Sequence, residues 1–215
     1  VLYRVAEVME GRHVQFCEEV AAGEGLSTSK ARAAVDAAID RWVWYAGWTD
    51  KLAAVLGGAN PVAGPYFDFS TPEPTGVVAV LAPQQSSLLG LVSVLAPVLA
   101  TGNTAVVVSS KARPLPAVTL GEVLATSDVP GGVVNLLTGD AGEIGPWLAE
   151  HDDVDAIDLT GAPADRALEL ERLAAGSIKR VVRPPAEEPD WAADPGTSRM
   201  TPFLETKTVW HPKGV

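Results

Sequence analysis

The stretch GVVAVLAPQQSSLLGLVSVLAPVLATGNTAVVV, Gly76–Val108, decides the fold. Its two ends, Val77–Ala82 and Thr104–Val108, are short, rich in β-branched residues and apolar on both faces, the composition of strands covered on both sides. Between them Ser87–Ala100 has the length and composition of a helix, with Pro97 expected to kink or end it. A buried strand, a helix and a second buried strand make a right-handed parallel crossover. The alternation continues downstream. Val133–Leu137, Val154–Leu159 and Ile178–Val182 read as further strands, and Pro116–Ser127, Gly142–Glu150 and Ala164–Ala175 as the helices around them. Five strands alternating with four helices predict an α/β fold with a doubly wound parallel sheet.

Upstream of this unit, Leu2, Val5, Met9, Phe16 and Val20 recur at near-helical spacing among charged residues, which predicts an amphipathic helix. A second helix is expected from the N-cap residues Ser27–Ser29 through Val35, Ile39, Trp42 and Tyr45 toward Leu52, with Gly57-Gly58 as its stop. The aromatic residues Trp42 and Tyr45 fit its apolar stripe and are expected in a core or subunit contact. Residues 60–74 carry Pro61, Pro65, Pro72 and Pro74 around Tyr66-Phe67-Asp68-Phe69, a pattern for an exposed extended ribbon. Downstream, 183–200 holds four prolines and four carboxylates with few groups to pack a core, and reads as a linker. In the last segment, 201–215, Phe203, Glu205, Lys207 and Val209 alternate with Leu204, Thr206, Thr208 and Trp210 in the manner of a strand. That strand needs a partner edge, supplied by the ribbon, by another subunit, or by both.

Composition narrows the function classes. The chain has 215 residues, 16 Lys and Arg against 27 Asp and Glu, and a net charge of −11, with no local basic patch to hold nucleic acid or an anionic membrane. No apolar run reaches the roughly 20 residues of a membrane helix. Cys17 is the single cysteine, so an internal disulfide is excluded and a reducing, cytoplasmic setting is expected. Glu18 and Glu19 beside it disfavour a reactive thiolate. His13, His151 and His211 lack metal-ligand spacing, so no metal site is expected. Among the acidic residues of 152–158, Asp158 falls in a buried strand and needs a partner.

Several motifs together resemble the NAD(P)-dependent aldehyde dehydrogenase superfamily. Val35–Asp40 with Tyr45-Ala46-Gly47-Trp48 is similar to that family's second helix, and Glu73-Pro74-Thr75-Gly76-Val77-Val78 to the approach to its first strand. Leu95-Ala96-Pro97 with Gly102-Asn103-Thr104, Gly132–Asn135 with Thr138-Gly139, and His151 with Val154-Asp155 and Thr160-Gly161 follow in the family's order and spacing. The resemblance covers residues 1–182, as a cofactor-binding domain, and returns at Glu205–Trp210, which is similar to the family's C-terminal oligomerisation strand. It implies that 60–74 and 201–215 form an extended β oligomerisation arm. It also implies that the linker 183–200 stands where the catalytic domain, with its nucleophilic cysteine, would be inserted.

The same resemblance marks where the chemistry is missing. Pro83 is followed by Gln84 and Gln85 in place of the family's Trp-Asn, which supplies an oxyanion amide. Val108 and Lys111 occupy the positions of a lysine and a glutamate that grip the cofactor ribose, with Ser110 between them. Thr160-Gly161-Ala162 lacks the second glycine that lets backbone approach a dinucleotide, and Arg183–Glu187 replaces the segment with the general base. No catalytic role falls on Cys17. The expectation is a pseudoenzyme with a degenerate crevice at Pro83, Gln84, Gln85, Val108, Ser110, Lys111, Thr160, Gly161 and Ala162. No cofactor is expected, with weak NAD or NADP binding as the alternative. The expected partner is a full-length aldehyde dehydrogenase subunit, or a second copy, contacted through Tyr66, Phe67, Phe69, Phe203, Leu204, Val209 and Trp210. The rival readings are a nucleotide sensor and a contributing component of a shared oxidoreductase site.

Overall fold

The computed structural model describes residues 1–214, so Val215 of the expected last strand lies outside the described residues. Five parallel strands form the main sheet: β3 (Val77–Leu81), β4 (Thr104–Val108), β5 (Val134–Leu137), β6 (Ala156–Asp158) and β7 (Arg180–Val182), in the order β5-β4-β3-β6-β7. The chain runs outward from the central β3 to one side, then crosses back to the other. Val78 pairs with Ala105 on one flank and with Ala156 on the other. The change of direction at β3 opens a crevice at the C-terminal strand ends.

The pleat of β3 sorts its side chains between two cores. Val78 and Val80 enter a large core with the helices α5 (Leu89–Ala100) and α6 (Leu115–Ala125), while Ala79 and Leu81 enter a smaller one with α7 (Ala141–Glu150) and α8 (Ala167–Ala174). Because β3 is covered on both faces, its sequence is apolar throughout rather than alternating. α5 is buried on nearly every side, since it lies among the sheet strands β3 and β4 and the N-terminal helix α3 (Thr28–Ala46). Pro97 does not end it. The helix runs on to Ala100.

The N-terminal layer differs in its breaks from the two long helices expected. The first divides at Arg12 into α1 (Leu2–Gly11) and α2 (His13–Glu24), next to the low-propensity Gly11. The second stops at Gly47, and Leu52 opens a separate short helix, α4 (Leu52–Leu56), so Gly57-Gly58 ends α4 and not α3. Ser27 caps α3, its hydroxyl accepting from the Lys30 N–H at 3.4 Å. Met9, Phe16, Trp42 and Tyr45 are fully buried in the large core.

The ribbon and the last segment form a second sheet, ordered β1-β2-β8, from β1 (Gly58–Asn60), β2 (Tyr66–Pro74) and β8 (Leu204–Pro212). The nine residue pairs of β2 and β8 run from Tyr66↔Pro212 to Pro74↔Leu204. Pro72 and Pro74 are tolerated because β1 pairs only with Asp68–Ser70 and leaves the rest of that edge open. Two ion pairs, Lys207–Glu73 at 2.9 Å and Arg180–Glu205 at 2.7 Å, flank the root of the arm.

Three local expectations are corrected. Ile178 does not open a buried strand. It is 93% exposed with φ 59°, a left-handed conformation that β-branched residues seldom adopt, and it closes the turn after α8 before β7 begins at Arg180. Residues 183–200 form no strand or α-helix but do contribute to the core, through Trp191 and Met200. Phe203, expected at a subunit contact, is 1% exposed and belongs to this chain's own core.

Candidate functional site

The C-terminal ends of β3 and β4 bring Gln84, Gln85, Ser110 and Lys111 of the predicted crevice into one neighbourhood, where they bond to one another and to Arg113. Gln84 folds back, its Nε2 donating to the Ala82 carbonyl at 2.8 Å and its Oε1 accepting from the Lys111 N–H at 3.0 Å. The Ser110 hydroxyl donates to the Gln84 carbonyl at 2.9 Å. Arg113 Nη1 donates to that carbonyl at 2.7 Å and to Gln85 Oε1 at 2.8 Å, while its Nε reaches the Gly23 carbonyl at the end of α2. Ser87 is held by Glu24 Oε1, which accepts from its backbone N–H and its hydroxyl.

Lys111 extends across the crevice to Asp140 Oδ2 at 2.7 Å. Asp140 is the N-cap of α7 and also accepts from the Gly142 N–H at 2.8 Å. The pair raises the Lys111 pKa through its bond to Asp140 and lowers that of Asp140 through Lys111 and then the Gly142 N–H. Both groups face solvent, so the pair orders the rim of the crevice without contributing much stability. Arg113, Asp140 and Glu24 were not among the residues expected here. Of these, only Asp140 carried a signal in sequence, as a good N-cap residue just ahead of a predicted helix.

Thr160 and Gly161 part company with the glutamines. The Gly161 N–H donates to the Leu81 carbonyl at 2.8 Å, and a Cβ added at Gly161 would lie 1.9 Å from the Ala82 oxygen. The glycine is therefore used for packing the turn after β6 against the end of β3. Thr160 turns back to Asp158, donating from its N–H at 2.8 Å and from its hydroxyl. Asp158 thus finds its partner one turn along its own chain. These two residues, with Val182, Arg183, Ser198 and Phe203, line a cavity of about 180 Å³ between β6, β7 and the 198–203 segment.

Burial is the largest influence on Asp158 and raises its pKa, against the opposing hydrogen bonds from Thr160 and the charge of Arg199. A carboxyl whose folded pKa is raised is at its most stabilising below its ordinary value of 3.8, and that stability is lost as pH climbs through the folded value. Asp158→Asn keeps an oxygen for Thr160 and removes the buried charge. It is expected to melt above the wild type at pH 7, with the difference shrinking as pH falls through the raised folded value toward 3.8 and levelling off below it, in thermal scans across that range. A melting temperature equal to or below that of the wild type at pH 7 would disprove the assignment.

Fitting a nicotinamide dinucleotide to these residues exposes a mismatch. Val108 is buried and offers no side-chain donor, and Lys111, in place of the ribose carboxylate that the resemblance implies, is bonded to Asp140. Gln84 occupies the end of β3. The residues present do not supply the expected ribose grip. Cys17 lies on α2, with Sγ 3.6 Å from His13 Nδ1; His13 Nε2 is 2.7 Å from Asp36. Burial, followed by the charge of Asp36, pushes the thiol pKa up and away from a nucleophilic thiolate. Among the described residues, no group of three or more His, Cys, Asp or Glu is placed to hold a metal ion, and no helix is long and apolar enough to cross a membrane.

Of the expected contact residues, Tyr66, Phe67 and Trp210 are exposed, Phe69, Leu204 and Val209 are half-buried, and Phe203 is internal. Tyr66 and Trp210 meet edge to face with ring centroids 5.7 Å apart, and Phe67 and Phe69 lie 5.5 Å apart. Since side chains alternate along a strand, these pairs fall on opposite faces of the arm.

A sequence model described as the aldehyde dehydrogenase family matches residues 1–183. The putative aldehyde dehydrogenase DhaS of Bacillus subtilis is 31% identical over 182 residues, which span 84% of this chain and 36% of that protein. Retinal dehydrogenase 2 of Homo sapiens is 36% identical over 138 residues, 64% of this chain and 26% of that one. Among solved structures, the NAD+ complex of an aldehyde dehydrogenase from Bacillus cereus superimposes with a TM-score of 0.76 at 26% identity, over 84% of this chain and 36% of that chain. The chain thus spans about a third or less of the length of these relatives. The matched residues begin with the N-terminal helices and end one residue beyond β7, taking in the whole five-stranded sheet, and the chain belongs to the aldehyde dehydrogenase family.

Proposed function

We propose that this chain is a non-catalytic aldehyde-dehydrogenase-like subunit that assembles through its β-arm with a full-length aldehyde dehydrogenase, scaffolding or regulating it. The observation that carries the reading is the three-stranded sheet. β8 is an edge strand of nine residues, and the arm bears exposed aromatic side chains on both faces. An edge of that length with Trp210 58% and Phe67 48% exposed is a template for another chain's strand. The partner's chemistry follows: an extended edge of its own, with apolar side chains to cover Tyr66, Phe67 and Trp210.

Three features support the non-catalytic part. Residues 183–203 pass directly from β7 to β8 within the chain, the crevice side chains are bonded to one another, and the Cys17 thiol is suppressed. Aldehyde oxidation needs a nucleophile and a base in one place. No such pair is assembled among the described crevice residues.

Native mass spectrometry of the gently isolated, tagged chain tests the assembly. It is expected to travel with an aldehyde dehydrogenase of roughly two to three times its length, as the covered fractions of its relatives imply, at fixed stoichiometry. Phe67→Asp and Trp210→Asp, both at exposed positions, are expected to release the partner while leaving the melting temperature within about 2 °C, because exposed substitutions cost little. A chain that travels alone, or variants that stay bound as tightly as the wild type, would refute the partner reading. Aldehyde-dependent reduction of NAD or NADP by the pure chain would overturn the non-catalytic one.

A further inference from the structure

Residues 189–199 fold onto α3 and α5 and enclose a cavity of about 100 Å³, lined by Arg41, Tyr45 and Ser93 from the helices and by Asp190, Asp194 and Arg199 among the residues of the segment. Three polar groups there are poorly satisfied by the protein. The Tyr45 side chain is fully buried and its hydroxyl has no hydrogen-bond partner among the described residues. Arg41 is only 6% exposed, and its Nη2 donates to the carbonyls of Trp191 and Ala193. Arg199 lies over the Trp191 ring, with its guanidinium carbon 4.8 Å from the ring centroid. Among the described residues neither arginine takes part in an ion pair.

A buried guanidinium without a counter-charge is costly, as is a buried hydroxyl without a partner, and one anion would relieve both. The Tyr45 phenol lies close enough to both arginines for their charges to oppose the effect of burial on it, and burial itself works against the Arg41 charge. Asp190 and Asp194 also line the cavity, but both side chains are exposed and Asp190 Oδ1 accepts from the Ala192 N–H. Solvent weakens their field at Arg41, which is itself shielded from water. The donors come from α3 and from the turn at 197–199, so they approach from separate directions. Such an arrangement suits a tetrahedral acceptor, and arginine is the side chain best fitted to phosphate oxygens.

We propose that this cavity binds a phosphate-sized tetrahedral oxyanion through Arg41, Tyr45 and Arg199, and that the bound anion fastens segment 189–199 to the helical layer. The site adjoins the cavity beside Asp158 and Thr160, which Ser198 and Arg199 also line, and stands independently of any partner subunit. A water molecule in the same place would satisfy Tyr45 but would leave Arg41 with only the solvent-weakened field of the exposed Asp194.

The test is calorimetric titration of the intact chain with inorganic phosphate, with thermal scans in phosphate and in chloride at equal ionic strength. Phosphate is expected to bind at one saturable site and to raise the melting temperature above that in chloride. Tyr45→Phe removes only the hydroxyl, Arg199→Gln removes the guanidinium with its charge and donors, and each is expected to weaken phosphate binding about tenfold with the fold retained in circular dichroism. Equal melting in the two salts would overturn the proposal and favour trapped water. Unchanged phosphate affinity in both variants would overturn it too, placing the anion elsewhere.

Discussion

Phe203→Ala is expected to lower the stability of the chain by about 3–5 kcal/mol, the range for truncating a fully buried aromatic side chain. In a protein of this size that corresponds to a fall in melting temperature of about 6–20 °C. The ring is internal, and the residue's backbone is held as well: its carbonyl accepts from the Thr75 N–H at 3.2 Å and from Asn103 Nδ2 at 2.9 Å. Asn103 Oδ1 accepts in turn from the Gly76 N–H at 2.7 Å. One residue therefore ties the start of β8 to the start of β3 and to the turn before β4. Its loss should free the arm before the sheet, so limited proteolysis is expected to cut within 200–212 in the variant at protease levels that leave the wild type intact. A variant that melts with the wild type would show that the arm is not anchored through this residue.

Gly161→Ala carries a comparable penalty for a different reason. The new methyl would sit 1.9 Å from the Ala82 oxygen and 2.3 Å from its carbonyl carbon, and both are backbone atoms that cannot swing aside. Relief requires moving the turn after β6, which lengthens the 2.8 Å bond from the Gly161 N–H to the Leu81 carbonyl. Overpacking and the lost hydrogen bond together are expected to cost about 3 kcal/mol, read as a shift of the denaturant midpoint at an unchanged slope. The substitution should also disturb Thr160 and its bonds to Asp158, because the two residues are neighbours in the same turn. A midpoint within error of the wild type would mean that the turn has room the structure does not show.

The contrast between these two residues shows how far sequence could be read. Gly161 was expected only as part of a degenerate crevice in which close approach to a dinucleotide is lost, and it makes a close approach to the chain's own β3. The residue type signalled tight packing but not what it packs against. Phe203 was placed on the strand by its alternation with Leu204, whereas the strand begins at Leu204 and Phe203 closes the 3-10 turn before it, because alternation says neither where pairing starts nor which residues meet the core. The 183–200 segment misled in a similar way. Its prolines and carboxylates describe backbone and solubility, whereas its fixed position depends on two apolar residues, Trp191 and Met200, and on Arg41 from 150 positions earlier in the chain.

The crevice was partly legible. Parallel strands that end together place Gln84, Ser110 and Lys111 near one another in any such fold, so the neighbourhood follows from the order of strands and helices. Which hydrogen bonds form there does not. Arg113 reaching back to Gly23 and to both glutamines, and Lys111 pairing with Asp140, depend on loop paths that no local pattern encodes. The Arg41, Tyr45 and Arg199 cavity was equally hidden, since its members come from a helix and a distant 3-10 turn.

What the sequence determined by itself is the doubly wound sheet, because burial on both faces demands short, wholly apolar strands, a requirement met at the central Val77–Leu81. The alternation with helices carries the reading out to the edge strands β5 and β7, where Asn135 and Arg180 interrupt the apolar run. The sequence also pointed to extended chain within 60–74 and 201–215, through proline and alternation, where the structure has strands at Tyr66–Pro74 and Leu204–Pro212. Tertiary structure alone decided that these two segments pair with each other, that Phe203 points inward, and that the side chains of the crevice bond among themselves. Those outcomes turn on contacts between residues far apart in the chain, whose free energies are set by distance and exclusion of water rather than by any property of the neighbouring sequence.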